Sequence, residues 1–308
     1  MAGRTEAQGG YQAQSPLKGV LWMAVAAFFF AVSVGLVRHI SETIDAFEQT
    51  FWRQFIGMLI ILPFMWRRGL SGLRTRQPGT NLLRSLVGYA GISLSFYSVT
   101  LIPLADSLAL QFTLPLFTIV FAMLVLGERV GAHRWAATAT GFLGALVILR
   151  PGFAEISFGM VVALGAAAFL GMSDTLVRKL SRTDATTVIV FYAYALQVPI
   201  AFAVSLYDWV TPSLADWPWL LALGVCSFIA QWGLSRAFVL AEASLVSPVL
   251  FLRLPIVSVI GYVFFAQTTD AWTWVGAVII FASTCYAARR EAMHRRRKIS
   301  GLAAQEVE

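Results

Sequence analysis

The pentapeptide Leu114-Pro115-Leu116-Phe117-Thr118 belongs to a pattern that the chain uses twice. Adding 140 to Pro115 gives Pro255, which again stands between apolar neighbours. The segment Ser33–Arg38 returns at the same offset as Ser173–Arg178, with Leu, Val and Arg in identical places. One register that holds in both halves indicates a duplicated unit.

The composition shows which medium this unit occupies. Of 308 residues, 58% are hydrophobic and 13% are charged, and the mean hydropathy is +0.73. A soluble domain carries about 25% charged residues, so this chain has too little charge for a water-exposed surface. The composition therefore predicts a protein embedded in a lipid bilayer. The net charge of +7 is typical of membrane orientation and does not point to nucleic acid as a partner.

Apolar runs of about 20 residues, enough to cross about 30 Å of hydrocarbon, recur along the chain. They predict an all-α polytopic membrane protein with ten transmembrane helices in two sets of five. The first set covers 19–37, 46–66, 82–101, 105–126 and 135–149, and the second covers 158–177, 186–207, 217–239, 245–265 and 272–288. The expected organisation is an N-terminal tail at 1–17, a first repeat at 18–151, a second repeat at 156–288 and a basic C-terminal tail at 289–308.

Positively charged residues are unevenly distributed between the two sides of these spans. One side receives 18 of the 23 Lys and Arg residues, including five arginines assigned to the loop from Arg67 to Arg84, and the other side receives Arg38 and Arg150. Because positive charge collects on the cytoplasmic side, we expect both termini in the cytoplasm. An odd number of helices in each repeat then makes the second repeat cross the membrane in the opposite sense to the first.

Inverted repeats are the architecture of many secondary transporters. Two copies of opposite orientation give two states of similar energy, each open to one side, with the substrate bound near the midplane. The architecture therefore predicts a carrier of a small molecule that works by alternating access.

A set of residues in this order is similar to the EamA-type drug/metabolite transporter superfamily: Arg53 in the second span, Pro115 in the fourth, Leu126-Gly127-Glu128-Arg129 after it, and Gly141 and Gly144 in the fifth. The resemblance covers residues 18–288. It implies a central cavity lined by spans 1, 3, 4, 6, 8 and 9, with spans 5 and 10 at the periphery. The second half departs from the pattern, since Gln267-Thr268 stands where the first half has Gly127-Glu128.

The segment Ile102-Pro103-Leu104-Ala105-Asp106 and the residues from Glu128 to Trp135 are similar to superfamily members assigned to uptake of riboflavin or S-adenosylmethionine. This likeness implies a vitamin-like or nucleoside-like substrate, and the alternative is export of amino acids or drugs by the same fold. A channel, or a scaffold without transport, is a further alternative. We expect a multi-pass protein of the bacterial inner membrane, with a homodimer as one candidate assembly.

Charged residues inside the spans are the first candidates for a site. Arg253 lies about nine residues into the ninth span, roughly 13 Å deep at about 1.5 Å per residue. A charge there costs roughly 3 kcal/mol on insertion scales, so it should face protein or a wet cavity. Its guanidinium offers donors to an anionic or strongly dipolar substrate. The other interpretation is a structural partner for backbone carbonyls freed by Pro255 or for a buried acid.

Three further charged residues are candidates for gating or coupling. Arg53 can reach Gln49 one turn away, and Glu48 lies near the end of the same span. A gate-closing ion pair and a substrate contact both explain Arg53. Asp174 stands one turn before Arg178, so it is either half of an intrahelical ion pair or a carboxylate that couples protons to transport.

Uncharged polar and aromatic side chains complete the candidate substrate site. The polar ones either line a path or join helices by hydrogen bonds, and the aromatic ones either stack on a planar substrate or pack in the bilayer. The polar candidates are Gln111, Thr113, Gln231 and Ser235, and the aromatic candidates are Phe96, Tyr97 and Trp232. Pro115 and Pro255 are interpreted as kinks that let the fourth and ninth spans bend between states.

Enzymatic chemistry has no support in the sequence. His39, His133 and His294 lie outside the spans, and Cys226 and Cys285 stand apart from any metal-ligand spacing. No glycine-rich phosphate-binding loop with its lysine is present. We therefore expect no enzymatic activity, no metal site and no cofactor.

Overall fold

The computed structural model describes residues 16–66, 75–127, 132–150, 155–184, 186–241 and 243–305, and every regular element in these ranges is a helix. Helices α1 to α6 are Pro16–Ile40, Ala46–Trp66, Pro78–Leu101, Leu104–Gln111, Leu114–Leu126 and Ala132–Leu149. Helices α7 to α12 are Phe158–Leu180, Thr186–Ser205, Trp217–Leu240, Ala243–Val246, Arg253–Phe265 and Ala271–Gln305. Two 3-10 turns cover Leu206–Asp208 and Ser247–Leu252.

Among the residues that the structure describes, six helical stretches are long and apolar enough to cross a membrane. They are Leu17–Ile40, Pro78–Leu101, Leu104–Leu126, Phe158–Leu180, Val188–Asp208 and Trp217–Leu240. Shorter apolar helices cover Trp135–Leu149, Val249–Phe265 and Ala271–Ala287. The expected all-helical membrane fold is confirmed, whereas the ten crossings and the cytoplasmic placement of both termini stay predictions.

Three elements differ from the ranges expected from hydropathy. The fourth span is interrupted after Gln111, because Pro115 occupies the first turn of α5, where its missing N–H is tolerated. The ninth span starts as the short α10 and a 3-10 turn, and α11 begins only at Arg253. Helix α12 continues to Gln305, so most of the tail expected from residue 289 is helical.

The helices pack as two interlocked copies. Helix α1 packs along α9, and its repeat-mate α7 packs along α3. In the same way, the contact of α2 with α9 returns as α8 with α3, and that of α5 with α7 returns as α11 with α1. The repeat symmetry maps the α2–α8 pair onto itself, and it does the same for the α6–α12 pair. Each repeat therefore completes its core with helices of the other repeat.

The crossing of α2 and α8 contains two contacts that the repeat symmetry maps onto each other. The side-chain amide of Gln54 donates to the side-chain carbonyl of Gln197. One turn further along α2, a Cβ on Gly57 would meet the ring of Tyr194, 2.7 Å from its nearest carbon. Adding 140 to 54 and 57 gives 194 and 197, so each contact maps onto the other. The pseudo-twofold axis therefore passes through this crossing.

The two ends of the bundle differ. We call the end that carries the start of α1 the terminal end, and the opposite end the distal end. At the distal end α1 and α2 pack on α3, and α4 packs on α11 and α12. The repeat-related pairs at the terminal end are α7 and α8 with α9, and α10 with α5 and α6. Among the described residues none of these pairs packs to a comparable extent. The interior is therefore closed at the distal end and open at the terminal end.

Hydrogen bonds mark the closed distal end. The backbone N–H of Leu104 donates to the Gln267 side chain at 3.0 Å, and the Thr273 hydroxyl donates to Asp106 at 2.5 Å. Arg150 forms an ion pair with Asp270. The two hydrogen bonds join the start of α4 to the end of α11 and the start of α12, and the ion pair joins the end of α6 to the start of α12.

Candidate substrate site

The guanidinium of Arg253 sits where the 3-10 turn of the ninth span passes into α11. Its central carbon lies 4.6 Å from the centroid of the Phe30 ring on α1. Its Nε is buried and has no hydrogen-bond partner. Within the described part of the chain, no carboxylate forms an ion pair with this guanidinium. Arg253 is therefore a cation in the interior whose donors are left for another molecule.

Thr113 occupies the repeat-related position in the fourth span, and the structure uses it differently. Its side chain is fully buried, and its hydroxyl donates to the carbonyl of Leu110 at 2.7 Å. The same carbonyl also accepts the backbone N–H of Thr113 at 3.1 Å, so the hydroxyl is used within its own turn. The two repeats therefore share the interruption, but only the second one places a cation there.

The two interrupted spans meet beside their breaks. The rings of Phe112 and Phe251 lie 4.2 Å apart between centroids, and Phe251 also contacts Phe281 of α12. Pro115 and Pro255 each stand in the first turn of the helix that follows the break. The expected kinks are full interruptions of the helical backbone, and their role in gating stays a prediction.

Gln111 belongs to a strip of polar side chains between α3 and α4. Ser95 donates to its side-chain carbonyl at 2.7 Å, and its amide donates to Ser107 at 3.0 Å. Ser107 also hydrogen-bonds Ser98 at 2.6 Å. Gln111 is half-buried, so part of its side chain stays accessible. The strip holds the closed distal side of the two helices together and leaves Gln111 at its inner end.

Arg53 is half-buried in α2 and makes different contacts from those expected. Its Nη1 donates to Gln54 at 2.8 Å, and its guanidinium carbon lies 5.9 Å from the centroid of the Phe96 ring. Gln49 instead donates to the carbonyl of Ile44 at 2.8 Å. Tyr194 of α8 lies within electrostatic range of Arg53. Arg53 is therefore connected to the α2–α8 crossing, and none of the contacts described for it involves a carboxylate.

Glu48 and Tyr97 lie near the distal end. Glu48 accepts hydrogen bonds from Trp52 Nε1 and from the backbone N–H of Val210, each at 3.0 Å. It thereby ties α2 to the segment that follows α8. Tyr97 has the rings of Phe47 and Phe158 as neighbours. These contacts belong to the closed end of the bundle.

Asp174 is exposed although protein surrounds it on most sides, so its carboxylate lines the open interior. Its charged neighbours are Arg84 on α3 and Arg178 on its own helix. Arg84 was assigned to a loop from the sequence, and this was wrong, because α3 begins at Pro78 and carries Arg84 into the bundle. Pro78, at the start of the helix, was the sequence signal that could have located this start. Arg84 Nη1 donates to the carbonyl of Ile189 on α8 at 3.4 Å.

Three candidates lie on an exposed face of α9. Gln231 and Ser235 are exposed, and the Ser235 hydroxyl donates to the Gln231 carbonyl at 2.9 Å. Trp232 is 42% exposed, stacks on Phe228 and carries the guanidinium of Arg236 at 5.3 Å. Their contact with substrate stays a prediction.

The described residues contain no group of three or more His, Cys, Asp or Glu side chains that could hold a metal ion. The motif residues Glu128 and Arg129 lie outside the described residues, as do Arg67, Arg68 and Arg74 of the basic loop.

Comparison with known families places these features in context. The model of the EamA-like transporter family matches the chain twice, at residues 17–150 and 157–289. The chain belongs to the EamA-like transporter family. The two matches coincide with the two halves found from the sequence repeat. EamA-like transporters are carriers and not enzymes.

Individual relatives differ in the solute that their names give. The chain is 33% identical to a riboflavin transporter of Vibrio cholerae, covering 92% of this chain and 97% of that protein. It is 34% identical to a pseudopaline exporter of Pseudomonas aeruginosa, covering 88% and 96%. An S-adenosylmethionine uptake transporter of Rickettsia prowazekii is 27% identical, covering 88% and 92%.

A solved crystal structure superposes on the EamA-like chain with a TM-score of 0.60, at 18% sequence identity. It covers 90% of this chain and 99% of the other. At this identity the likeness shows the fold alone.

Proposed function

We propose that this EamA-like protein carries a small organic metabolite with an anionic group across the bacterial inner membrane by alternating access. Arg253 binds the anionic group, Phe30 lies beside it, and Gln111 contributes a polar edge. The two inverted repeats supply two states of similar energy. The structure corresponds to the state that is open at the terminal end.

The observation that carries this proposal is the unpaired guanidinium of Arg253. A buried polar group without a partner costs free energy, so the protein keeps such a group where a ligand or water completes it. The ring of Phe30 attracts the charge but accepts no conventional hydrogen bond. A carboxylate or phosphate on the substrate supplies both the charge and the acceptors.

The charges of the interior also favour an anionic group. Arg53, Arg84 and Arg253 lie within the helices, and Asp174 is the one carboxylate among the neighbours described for them. An excess of positive charge attracts anions into a cavity with low-dielectric walls. The riboflavin-like and S-adenosylmethionine-like classes remain candidates in the forms that carry such a group, as do amino acids.

The terminal end faces the cytoplasm in this proposal, because most Lys and Arg residues belong to that side. The structure would then be the inward-facing state. Relatives named for uptake and for export share this fold, so the direction of transport follows from the gradients and not from the architecture.

A ligand panel of matched pairs tests the proposal. The purified protein is heated with each member of two pairs, riboflavin with flavin mononucleotide and amino acids with their amides. S-adenosylmethionine is tested alongside them. A ligand at about 100 times its Kd stabilises the folded state by about 2.7 kcal/mol, which is visible as a rise in Tm. We expect the anionic member of a pair to give the larger rise and to show saturable counterflow in proteoliposomes. Equal rises within every pair would refute the anionic site, and non-saturable flux would favour the channel alternative.

A further inference from the structure

Arg38 and Arg178 occupy equivalent positions in the two repeats, and their surroundings along the chain are the same. Each stands two residues before the end of its helix. The next serine, Ser41 or Ser181, caps that helix by donating to the carbonyl of the arginine, at 2.6 Å and 2.9 Å. The local structure therefore presents the two arginines alike, at opposite ends of the bundle.

Arg38 closes the distal end by a specific contact. Its Nη1 donates to the carbonyls of Val99 and Thr100, at 2.9 Å and 2.6 Å. These carbonyls belong to the last turn of α3, where no intrahelical donor reaches them and the helix dipole is negative. The contact therefore joins the end of α1 to the end of α3 with charge-assisted hydrogen bonds.

The repeat-related contact would join Arg178 to the last turn of α9. Helix α9 ends at Leu240, and its final carbonyls are the counterparts of those that Arg38 binds. In this structure α7 and α9 do not pack together to any comparable extent within the described residues, and Arg178 is exposed with Asp174 as a charged neighbour.

The facing surfaces of α3 and α9 show the same difference. At the offset of 140, Ser98 and Val99 of α3 correspond to Phe238 and Val239 of α9. Ser98 and Val99 are buried, with 0% and 2% of their surfaces exposed, whereas Phe238 and Val239 are 46% and 59% exposed. Helix α9 therefore carries, uncovered, the surface that α3 buries.

We propose that Arg38 and Arg178 are alternating clamps of the two gates. In the state described, Arg38 holds the distal gate by binding the last turn of α3. In the opposite state Arg38 releases α3, and Arg178 binds the last turn of α9 while the end of α9 becomes buried. Asp174 holds Arg178 in the open state. This inference rests on the proposed alternating access.

Two pairs of spin labels test the clamps in the purified protein. One pair, at His39 and Thr100, reports the distal gate, and the other, at Lys179 and Leu240, reports the terminal gate. We expect Arg38→Ala to reduce the short-distance population of the distal pair and to raise that of the terminal pair. Arg178→Ala should shift both pairs in the opposite sense. Loss of two charge-assisted hydrogen bonds should change the ratio of the two states by about tenfold or more.

Controls separate the clamp from general damage to the fold. Arg236→Ala removes an arginine near the same end of α9, where it packs on Trp232, and should leave both distances unchanged. Arg38→Lys, which keeps a donor, should restore most of the distal population. If Arg38→Ala does not fold, Arg178→Ala decides alone, because Arg178 is exposed. Shifts of the same sign in both alanine variants, or no shift, would overturn the clamps. Opposed shifts without solute exchange would support the clamps and refute the carrier.

Discussion

The guanidinium of Arg253 lies 4.6 Å from the centre of the Phe30 ring, and this ring is the only neighbour that attracts its charge within the described residues. An aromatic face stabilises a cation by about 0.5–2 kcal/mol, less than the hydrogen bonds that a buried guanidinium gives up. The pair joins α11 of the second repeat to α1 of the first. A substrate bound there would touch both halves of the protein.

Arg253→Ala should abolish substrate counterflow and the ligand-induced rise in Tm, with normal expression and an unchanged Tm of the free protein. Arg253→Lys keeps the charge but loses the planar pair of donors, so KM should rise about tenfold or more. Arg236→Ala is the matched control. Full activity of the alanine variant would make Arg253 a packing residue.

Asp174→Asn should separate substrate flux from a pH gradient, because the amide cannot carry a proton between the two sides. Counterflow without a gradient should persist, since substrate still binds at Arg253. Flux in proteoliposomes with and without an imposed pH difference measures both. Asp106→Asn, at the closed distal end, is the control. Gradient-driven flux that survives in the Asp174 variant would leave this carboxylate as half of an ion pair with Arg178.

Ala266→Gly should stabilise the protein by about 1 kcal/mol. Helices α5 and α11 end alike, with Gly127 at φ 64° and Ala266 at φ 51°. A left-handed conformation costs a residue with a Cβ roughly 1–2 kcal/mol, which glycine avoids. Gly127→Ala should lose a similar amount, because a Cβ there meets no atom within 4 Å and only the backbone is strained. Thermal unfolding in detergent measures both changes, and equal Tm values would refute the argument.

The turn after α7 should make the stability of the folded protein depend on pH. The Thr75 hydroxyl and the Arg76 backbone N–H hydrogen-bond Asp184, with further bonds from Thr183 and Asn81, and they lower the pKa of its carboxyl. A lowered folded-state pKa stabilises the protein above the ordinary value of about 3.9, and this contribution is lost as pH falls through the lowered value.

Asp184→Asn should therefore lower Tm at neutral pH and flatten the fall of Tm below about pH 4. Glu155→Gln, at an exposed carboxylate, should change neither. An Asp184→Asn profile that is parallel to that of the unmodified protein would contradict this role.

Cysteine labelling should place Gly72→Cys in the cytoplasm and Thr211→Cys on the opposite side. Both variants are made in a background with Cys226→Ser and Cys285→Ser, so that one thiol is present. An impermeant maleimide applied to intact cells should label position 211, and position 72 only after lysis. The reverse pattern would show that the protein has the opposite orientation in the membrane. The described state would then be outward-facing.

The architecture could be predicted from the sequence, because the duplication and the hydropathy pattern are both visible in the order of residue types. The sequence located Arg253 because an arginine among apolar residues is visible without any structure. It misplaced Arg84, because hydropathy is averaged over many residues and a charged residue near the start of a helix is then assigned to the preceding loop. The fourth span is interrupted one turn before Pro115. This interruption depends on the backbone conformation there, which a periodic pattern of residue types does not encode.

Which end is closed could not be predicted from the sequence. The two repeats carry Arg38 and Arg178 in the same pattern, so the sequence treats both ends alike. The choice between them rests on the burial of equivalent residues at the ends of α3 and α9, such as Val99 and Val239. In the proposed cycle two conformations of similar energy share one sequence, and the structure represents one of them.

The crossing of α2 and α8 has a practical consequence for engineering. Because the repeat maps the Gln54–Gln197 and Gly57–Tyr194 contacts onto each other, we expect this crossing to be kept in both states of the proposed cycle. Substitutions that tighten this crossing should raise the melting temperature without trapping the protein in one conformation. Thermostabilised variants for further structural work can be sought there, whereas tightening either gate would freeze the cycle.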